Sequence, residues 1–253
     1  MTEISDHTHA RARRPIATIA IDGPAGSGKS TIGLGLANHL GFLYFDTGVM
    51  YRAVTLAALT RHIDLQDEAI VSSLAEQIHI EVLPPNKADG RQYTVLLGED
   101  DVTWLIRQPE VDANVSVISA YPRVREAMVR QQRRVAQRGH VVMVGRDIGT
   151  VVIPNADLKL YLDASIEERA RRRQLELLRR GVKSHYDDVL ASMRERDHID
   201  TTRAASPLRP ADDAEIIDCT NMDAQDTLAY IIELVNRRMT HANANANANA
   251  NIA

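Results

Sequence analysis

One segment constrains the fold more than any other. Gly23-Pro24-Ala25-Gly26-Ser27-Gly28-Lys29-Ser30 fits G-x-x-x-x-G-K-[ST], and Thr31 continues it. The apolar run Ile16–Asp22 precedes it, and an amphipathic stretch, Ser30–Leu40, follows before Gly41. Strand, glycine-rich turn, helix is the context in which this motif binds phosphate. Loop amides and the helix N-terminus surround the anion, Lys29 reaches the outer phosphates, and Ser30 is placed to ligate Mg²⁺. An ordinary glycine-rich turn would explain the glycines but not the whole motif in this setting. The chain is therefore expected to bind a nucleoside triphosphate, with Gly23 through Thr31 around it.

The rest of the chain alternates apolar strands with helices. Phe42–Asp46, Val141–Val144, Leu158–Asp163 and Ala214–Cys219 read as further strands. Tyr51–Arg61, the segment after Ser165 to about Arg180, and Thr227–Met239 read as helices. Such alternation predicts an α/β fold with a parallel sheet. Ser165 and Glu168 fit a capping box. His79–Leu83 and Tyr93–Leu97 flank turn residues and predict an antiparallel hairpin inserted into the α/β order. The Ala/Asn alternation after His241 has nothing to bury and is expected to be disordered.

Composition narrows the class. The 253 residues carry a net charge of −4 and a single cysteine, Cys219, so an intrachain disulfide or a cysteine-built zinc site is excluded. Cys219 reads as a small apolar group at a strand end. The first 15 residues are polar, without an apolar core for a signal peptide, and no run is long enough to span a membrane. A cytoplasmic location is expected. His7 and His9 form a pair in the polar leader and are left without a metal role.

The basic residues are 26 Arg and 4 Lys. Compositional bias explains much of that excess, but their position is informative. From Arg123 to Arg209 there are 19 basic and 12 acidic residues, while the remainder is net −11. A basic half on an acidic chain points to an anionic ligand. Three classes compete: a small-molecule kinase, a GTPase and a nucleic-acid-acting ATPase. Asn86-Lys87-Ala88-Asp89 matches the guanine-reading N-K-x-D. However, no D-x-x-G lies between Ser30 and Asn86, and Asp89-Gly90 is better read as a turn. The ATPase would need aromatic stacking positions. Trp104 is expected to pack within the insert.

Three further segments complete a pattern: Asp46-Thr47-Gly48-Val49-Met50-Tyr51-Arg52-Ala53, Gly145-Arg146-Asp147-Ile148-Gly149-Thr150, and Arg196-Asp197-His198-Ile199-Asp200-Thr201-Thr202-Arg203. With Tyr121–Met128 and Leu162–Arg173, these resemble the bacterial cytidylate kinases over about residues 15–239. The resemblance implies an NMP-kinase-like three-layer fold around a five-stranded parallel sheet. It further implies one domain over 15–239, with its core at about 15–71 and 123–239. An NMP-binding insert is expected at about 72–122 and a helical lid at about 170–205, outside which lie a flexible leader (1–14) and the tail (240–253). The implied activity is transfer of the ATP γ-phosphoryl group to CMP or dCMP, with Mg²⁺, by a monomer that binds neither nucleic acid nor membrane.

Residue by residue, the resemblance gives Lys29, Arg146 and Arg196 catalytic roles. Arg52 and Arg146 are implied as ligands of the acceptor phosphate. Thr47, Ser116, Arg125, Asp147 and Arg203 are the implied base-reading group, and Arg196 and Asp200 face the sugar. Arg169 and Arg172, with Arg173, are expected to close over the triphosphate. Cytosine offers an amine donor that Asp147 can accept, and such a polar site rejects bases that leave it unpaired. Thr47 and Thr201 stand where serine is also common, and both keep a hydroxyl. Kinases acting on UMP or AMP are the alternative.

Overall fold

The apolar run before the glycine-rich loop becomes the middle strand of the sheet. In the computed structural model, residues 16–179 and 181–250 are described. The leader therefore lies outside the described residues. Strand β1 (Thr18–Asp22) pairs in parallel with β6 (Val141–Val144) on one side and β7 (Leu158–Asp163) on the other. Strands β2 (Leu43–Asp46) and β8 (Glu215–Asp218) complete a five-stranded parallel sheet of order β2-β6-β1-β7-β8. Register is set by apolar pairs such as Ile19↔Val142 and Ile21↔Leu160. Every residue of β6 is buried, as expected of a strand covered on both faces.

Helix α1 (Lys29–Leu40) lies against β1, β2 and β6, and α8 (Ala224–Ala250) packs beside it. Gly41, at φ +68°, caps α1 and donates to Ala37 O and Asn38 O. Helices α2 (Gly48–Thr60), α3 (Glu68–Gln77), α4 (Pro109–Ile118) and α5 (Pro122–Ala136) share the main apolar core with the sheet. Within it, α3 packs on α5 and α4 on α2.

Two antiparallel strands, β3 (Ile80–Leu83) and β4 (Thr94–Leu97), form the hairpin that the sequence predicts; a third, β5 (Asp100–Asp101), extends it. Arg91 fastens the turn through Asp89 (2.7 Å) and Asp101 (2.8 Å). Asn86 accepts from Thr94 Oγ1 at 2.8 Å, so the N-K-x-D residues are bound inside the hairpin turn. Trp104 departs from the expectation of packing. It is 46% exposed, held by Asp89 and lying under the Arg107 guanidinium. Cys219 is buried just after β8, as expected.

Helices α6 (Ile166–Arg179) and α7 (Tyr186–Thr202) pair with each other over a separate small core of Ala170, Val189 and Met193. Only half of the capping box forms. Ser165 Oγ accepts from the Glu168 amide, but the Glu168 carboxylate turns to Arg171 and Arg172, whose charge outbids a backbone amide. The final helix also differs from expectation. It runs on through Ala250 instead of ending near Met239, so the Ala/Asn stretch expected to be disordered continues it.

Candidate active site

The carboxyl ends of β1, β2 and β6 open onto one cleft of about 1410 Å³, roofed by α6 and α7. That exceeds the ~300–1,000 Å³ of a typical single-ligand pocket. Its floor is the glycine-rich loop. Gly23 sits at φ +147°, and a Cβ there would lie 2.0 Å from Leu162 O, so only glycine fits. Gly28, at φ +96°, turns the chain into α1. Lys29 is buried, its Nζ donating to Pro24 O at 2.5 Å and to Ser27 Oγ at 3.4 Å. Burial, then Arg146, hold its ammonium well below the usual lysine range, with Asp46 opposing. A phosphate brought beside it would favour the charged form. Ser30 Oγ donates to Asp46 Oδ2 at 3.3 Å, which places two hard oxygens at the mouth of the loop. Among the described residues no cluster of three or more His, Cys, Asp or Glu could hold a metal ion.

Across the floor, the turn after β6 carries Arg146 and Asp147. Asp22, at the end of β1, braces this turn. Its two carboxylate oxygens accept from the Ile148 amide (2.8 Å) and the Gly149 amide (2.7 Å). Burial pushes the Asp22 carboxyl up to about 6, against the pull of those two amides. A Cβ at Gly145 would stand 2.7 Å from Thr47 Oγ1 and 2.6 Å from Ile148 Cδ1, so any larger residue would displace one of these side chains. Thr47 donates its hydroxyl to Val144 O at 3.0 Å, which ties β2 to β6 at the site and leaves the oxygen able to accept.

Two buried carboxylates organise the arginines. Asp147 Oδ2 accepts from Arg125 Nη2, and its Oδ1 lies 3.9 Å from Arg203 Nη2. Arg125 also donates to Ser119 O at 3.0 Å and stacks over the Tyr51 ring. Asp200 Oδ2 accepts from Arg146 Nε at 2.9 Å, and its Oδ1 lies 3.6 Å from Arg203 Nη1. Burial pushes the Asp200 carboxyl up, but Arg146 and Arg196 outweigh it and hold it below the usual range. Arg196 carries a buried Nε with no hydrogen-bond partner, and burial together with Arg146 lowers it to about 10. The Nε of Arg125 and Nη2 of Arg203 are likewise buried without a hydrogen bond. Donors in this state serve an anion or a polar ligand at low reorganisation cost.

The structure thus brings Lys29, Ser30, Thr47, Arg52, Arg125, Arg146, Asp147, Arg196, Asp200 and Arg203 onto one cleft, with Arg172 on its α6 wall. Three residues differ from expectation. From α4 the wall takes Asp112, Ala113 and Val115, and just past its end Ser119, but not Ser116. Arg169 does not line the cleft. It is buried, donating to Ala164 O (2.8 Å), Ala25 O (3.1 Å) and Asp197 (2.6 Å), so it anchors α6 to the glycine-rich loop. Arg172 spends its guanidinium on Glu168, Cys219 O and Met222 O, which fixes the turn after β8. Asp22, Asp46, Asp112 and Ser119 were not singled out by sequence reasoning. Asp22 and Asp46 carried a local signal, an acid closing an apolar strand.

A family model described as cytidylate kinase matches residues 19–237. The chain is 54% identical over 215 residues to a cytidylate kinase of Chloroflexus aggregans, covering 85% of this chain and 92% of that one. It is 56% identical over 180 residues to one of Herpetosiphon aurantiacus, covering 71% and 79%. With one of Carboxydothermus hydrogenoformans it shares 46% identity over 220 residues, covering 87% and 97%. Among solved structures it is similar to a shikimate kinase from Bacteroides thetaiotaomicron, at TM-score 0.44 and 12% identity over 87% of this chain and 98% of that one. A five-stranded parallel sheet, a glycine-rich loop facing a layer of arginines, and a family match over residues 19–237 agree: this chain belongs to the cytidylate kinase family.

Proposed function

We propose that the chain transfers the γ-phosphoryl group of ATP to CMP or dCMP, giving ADP and the diphosphate. The observation that carries this is Asp147, a buried carboxylate held between Arg125 and Arg203 and adjacent in the chain to Arg146. A carboxylate accepts at several positions, so Asp147 can keep Arg125 and still take the exocyclic amine of cytosine. Ser119, on the cleft wall, joins Thr47 as a hydroxyl-bearing neighbour of the base, while the role of Ser116 rests on the resemblance alone.

The acceptor phosphate is already ionised, so no general base is needed. The chain's work is positioning and charge compensation. The glycine-rich loop and Lys29 would hold the donor phosphates; Arg52, Arg146 and Arg196 would converge on the acceptor phosphate and the transferring group; and Asp200 would keep Arg146 and Arg203 in place and meet the sugar side. The α6–α7 pair would act as the lid and the α4/hairpin region as the insert, excluding water during transfer. Mg²⁺ fits the donor set: Ser30 Oγ would ligate it, Asp46 would hold Ser30, and phosphates and water would complete the hard-oxygen shell. When bound it would neutralise the charge on the triphosphate oxygens.

The same reading takes the enzyme as a monomer in the cytoplasm, without nucleic-acid or membrane partners. Among the described residues no helix is long and apolar enough to cross a membrane. Coupled ADP release across CMP, dCMP, UMP, AMP and GMP tests the activity. Strong stimulation by CMP and dCMP is expected, and preferential stimulation by AMP or GMP would overturn the reading.

A further inference from the structure

Helix α4 carries one carboxylate into the arginine layer. Asp112 Oδ1 accepts from Arg52 Nη2 at 2.5 Å, and its Oδ2 lies 3.8 Å from Arg173 Nη2. Arg52 also donates to Ile106 O at 3.2 Å, and Arg173 to Glu176 at 2.8 Å. The three side chains are 22–31% exposed, so an anion from the cleft can reach them. Asp112 also bears on Arg196, whose charged form it favours. An acidic side chain on a proposed acceptor-phosphate arginine is unexpected, because it satisfies the group that the substrate must use. Its two oxygens face an arginine of α2 and one of α6.

We propose that Asp112 is a built-in competitor for the acceptor phosphate, holding Arg52 and Arg173 until a phosphate dianion takes its place. This rests on the CMP-phosphorylating reading above. A phosphate monoester brings nearly two charges and three terminal oxygens against one charge and two oxygens, so it wins the exchange. The exchange costs affinity, because the ion pair to Arg52 must open first. It also hands Arg52 and Arg173 together to the substrate, which couples phosphate entry to the contact between α4 and the lid helices.

Asp112→Asn tests this, since it keeps the shape and removes the charge. A partly exposed ion pair is worth roughly 1 kcal/mol, so KM for CMP should fall about three- to tenfold. The inhibition constant of inorganic phosphate against CMP should fall with it. An unchanged or raised KM would overturn the proposal and make Asp112 a residue that merely holds Arg52 in position. Asp112→Glu keeps the charge and should keep KM at or above the wild-type value; a fall matching that of the Asn variant also overturns it. If Asp112→Asn fails to fold, Asp112→Ser takes its place with the same expectation. Should wild type fail to turn over CMP, the activity reading falls. Calorimetry with inorganic phosphate then still decides the inference: tighter binding by Asp112→Asn supports it, and equal or weaker binding ends it.

Discussion

Replacing Asp200 with asparagine should destabilise the chain far more than an ordinary surface change. Asp200 accepts from Arg146 Nε at 2.9 Å and approaches Arg203 Nη1 at 3.6 Å, with side-chain exposures of 7%, 19% and 4% for the three residues. Asparagine keeps one acceptor but no charge, leaving Arg146, Arg196 and Arg203 with less compensation. Breaking a buried pair from one side costs about 3–5 kcal/mol, and the partial exposure of Arg146 together with the retained acceptor brings this to about 2–3. For a domain of this size 1 kcal/mol moves Tm by about 2–4 °C, so a fall of roughly 4–12 °C is expected in differential scanning fluorimetry. The pH dependence follows from the depressed carboxyl of Asp200. A group held below its unfolded value contributes fully above the unfolded pKa of about 3.9, and the contribution is lost only as pH falls through the lower folded value. The Tm gap between wild type and variant should therefore stay constant from about pH 8 to about pH 5. A gap under about 2 °C at neutral pH, or one that closes within that window, would refute the assignment of Asp200 as the buried anchor of the arginines.

Lys29→Ala should lower kcat by about 10²–10³ with little change in Tm, measured by coupled ADP release; near-normal kcat would remove Lys29 from the phosphate site. Gly23→Ala should disrupt the join between the glycine-rich loop and β7, since the new Cβ meets Leu162 O at 2.0 Å. Loss of soluble, ATP-binding protein is expected, and wild-type binding of a fluorescent ATP analogue would contradict the geometry. Arg169→Gln cuts the tie between α6 and Ala25 O, so KM for ATP should rise about tenfold while KM for CMP moves less. Equal shifts in both constants would show that Arg169 does not anchor the donor side.

What could be read in the chain was what is encoded over short stretches. The glycine-rich loop, the five parallel strands and the β3–β4 hairpin each carry their signal over a short, continuous stretch, as apolar runs, alternation and turn residues. The arginines and carboxylates of the cleft were reached through motif resemblance, and the structure shows which neighbour each one uses. What escaped depends on distant partners. Asp22 braces amides of Ile148 and Gly149, and Asp112 meets Arg52 across 60 residues of chain. Arg169 looks from sequence like Arg171 or Arg172, and only packing turns it inward onto Ala25. The capping box forms only by half for a local reason, since arginines three and four residues on compete for Glu168. The final helix runs past the end that its apolar pattern predicts. Trp104 stays half exposed because its ring nitrogen is held at the hairpin surface by Asp89.

The claim that Asp147 reads the acceptor's base is tested most directly by the acceptor profile of Asp147→Ala. A hydrogen bond to a charged group is worth about 1.5–3 kcal/mol, so kcat/KM with CMP should fall at least tenfold further than kcat/KM with UMP, narrowing the preference for cytosine. An equal loss with both nucleotides would show that Asp147 only holds Arg125 and Arg203 in place, and would contradict the base-reading account.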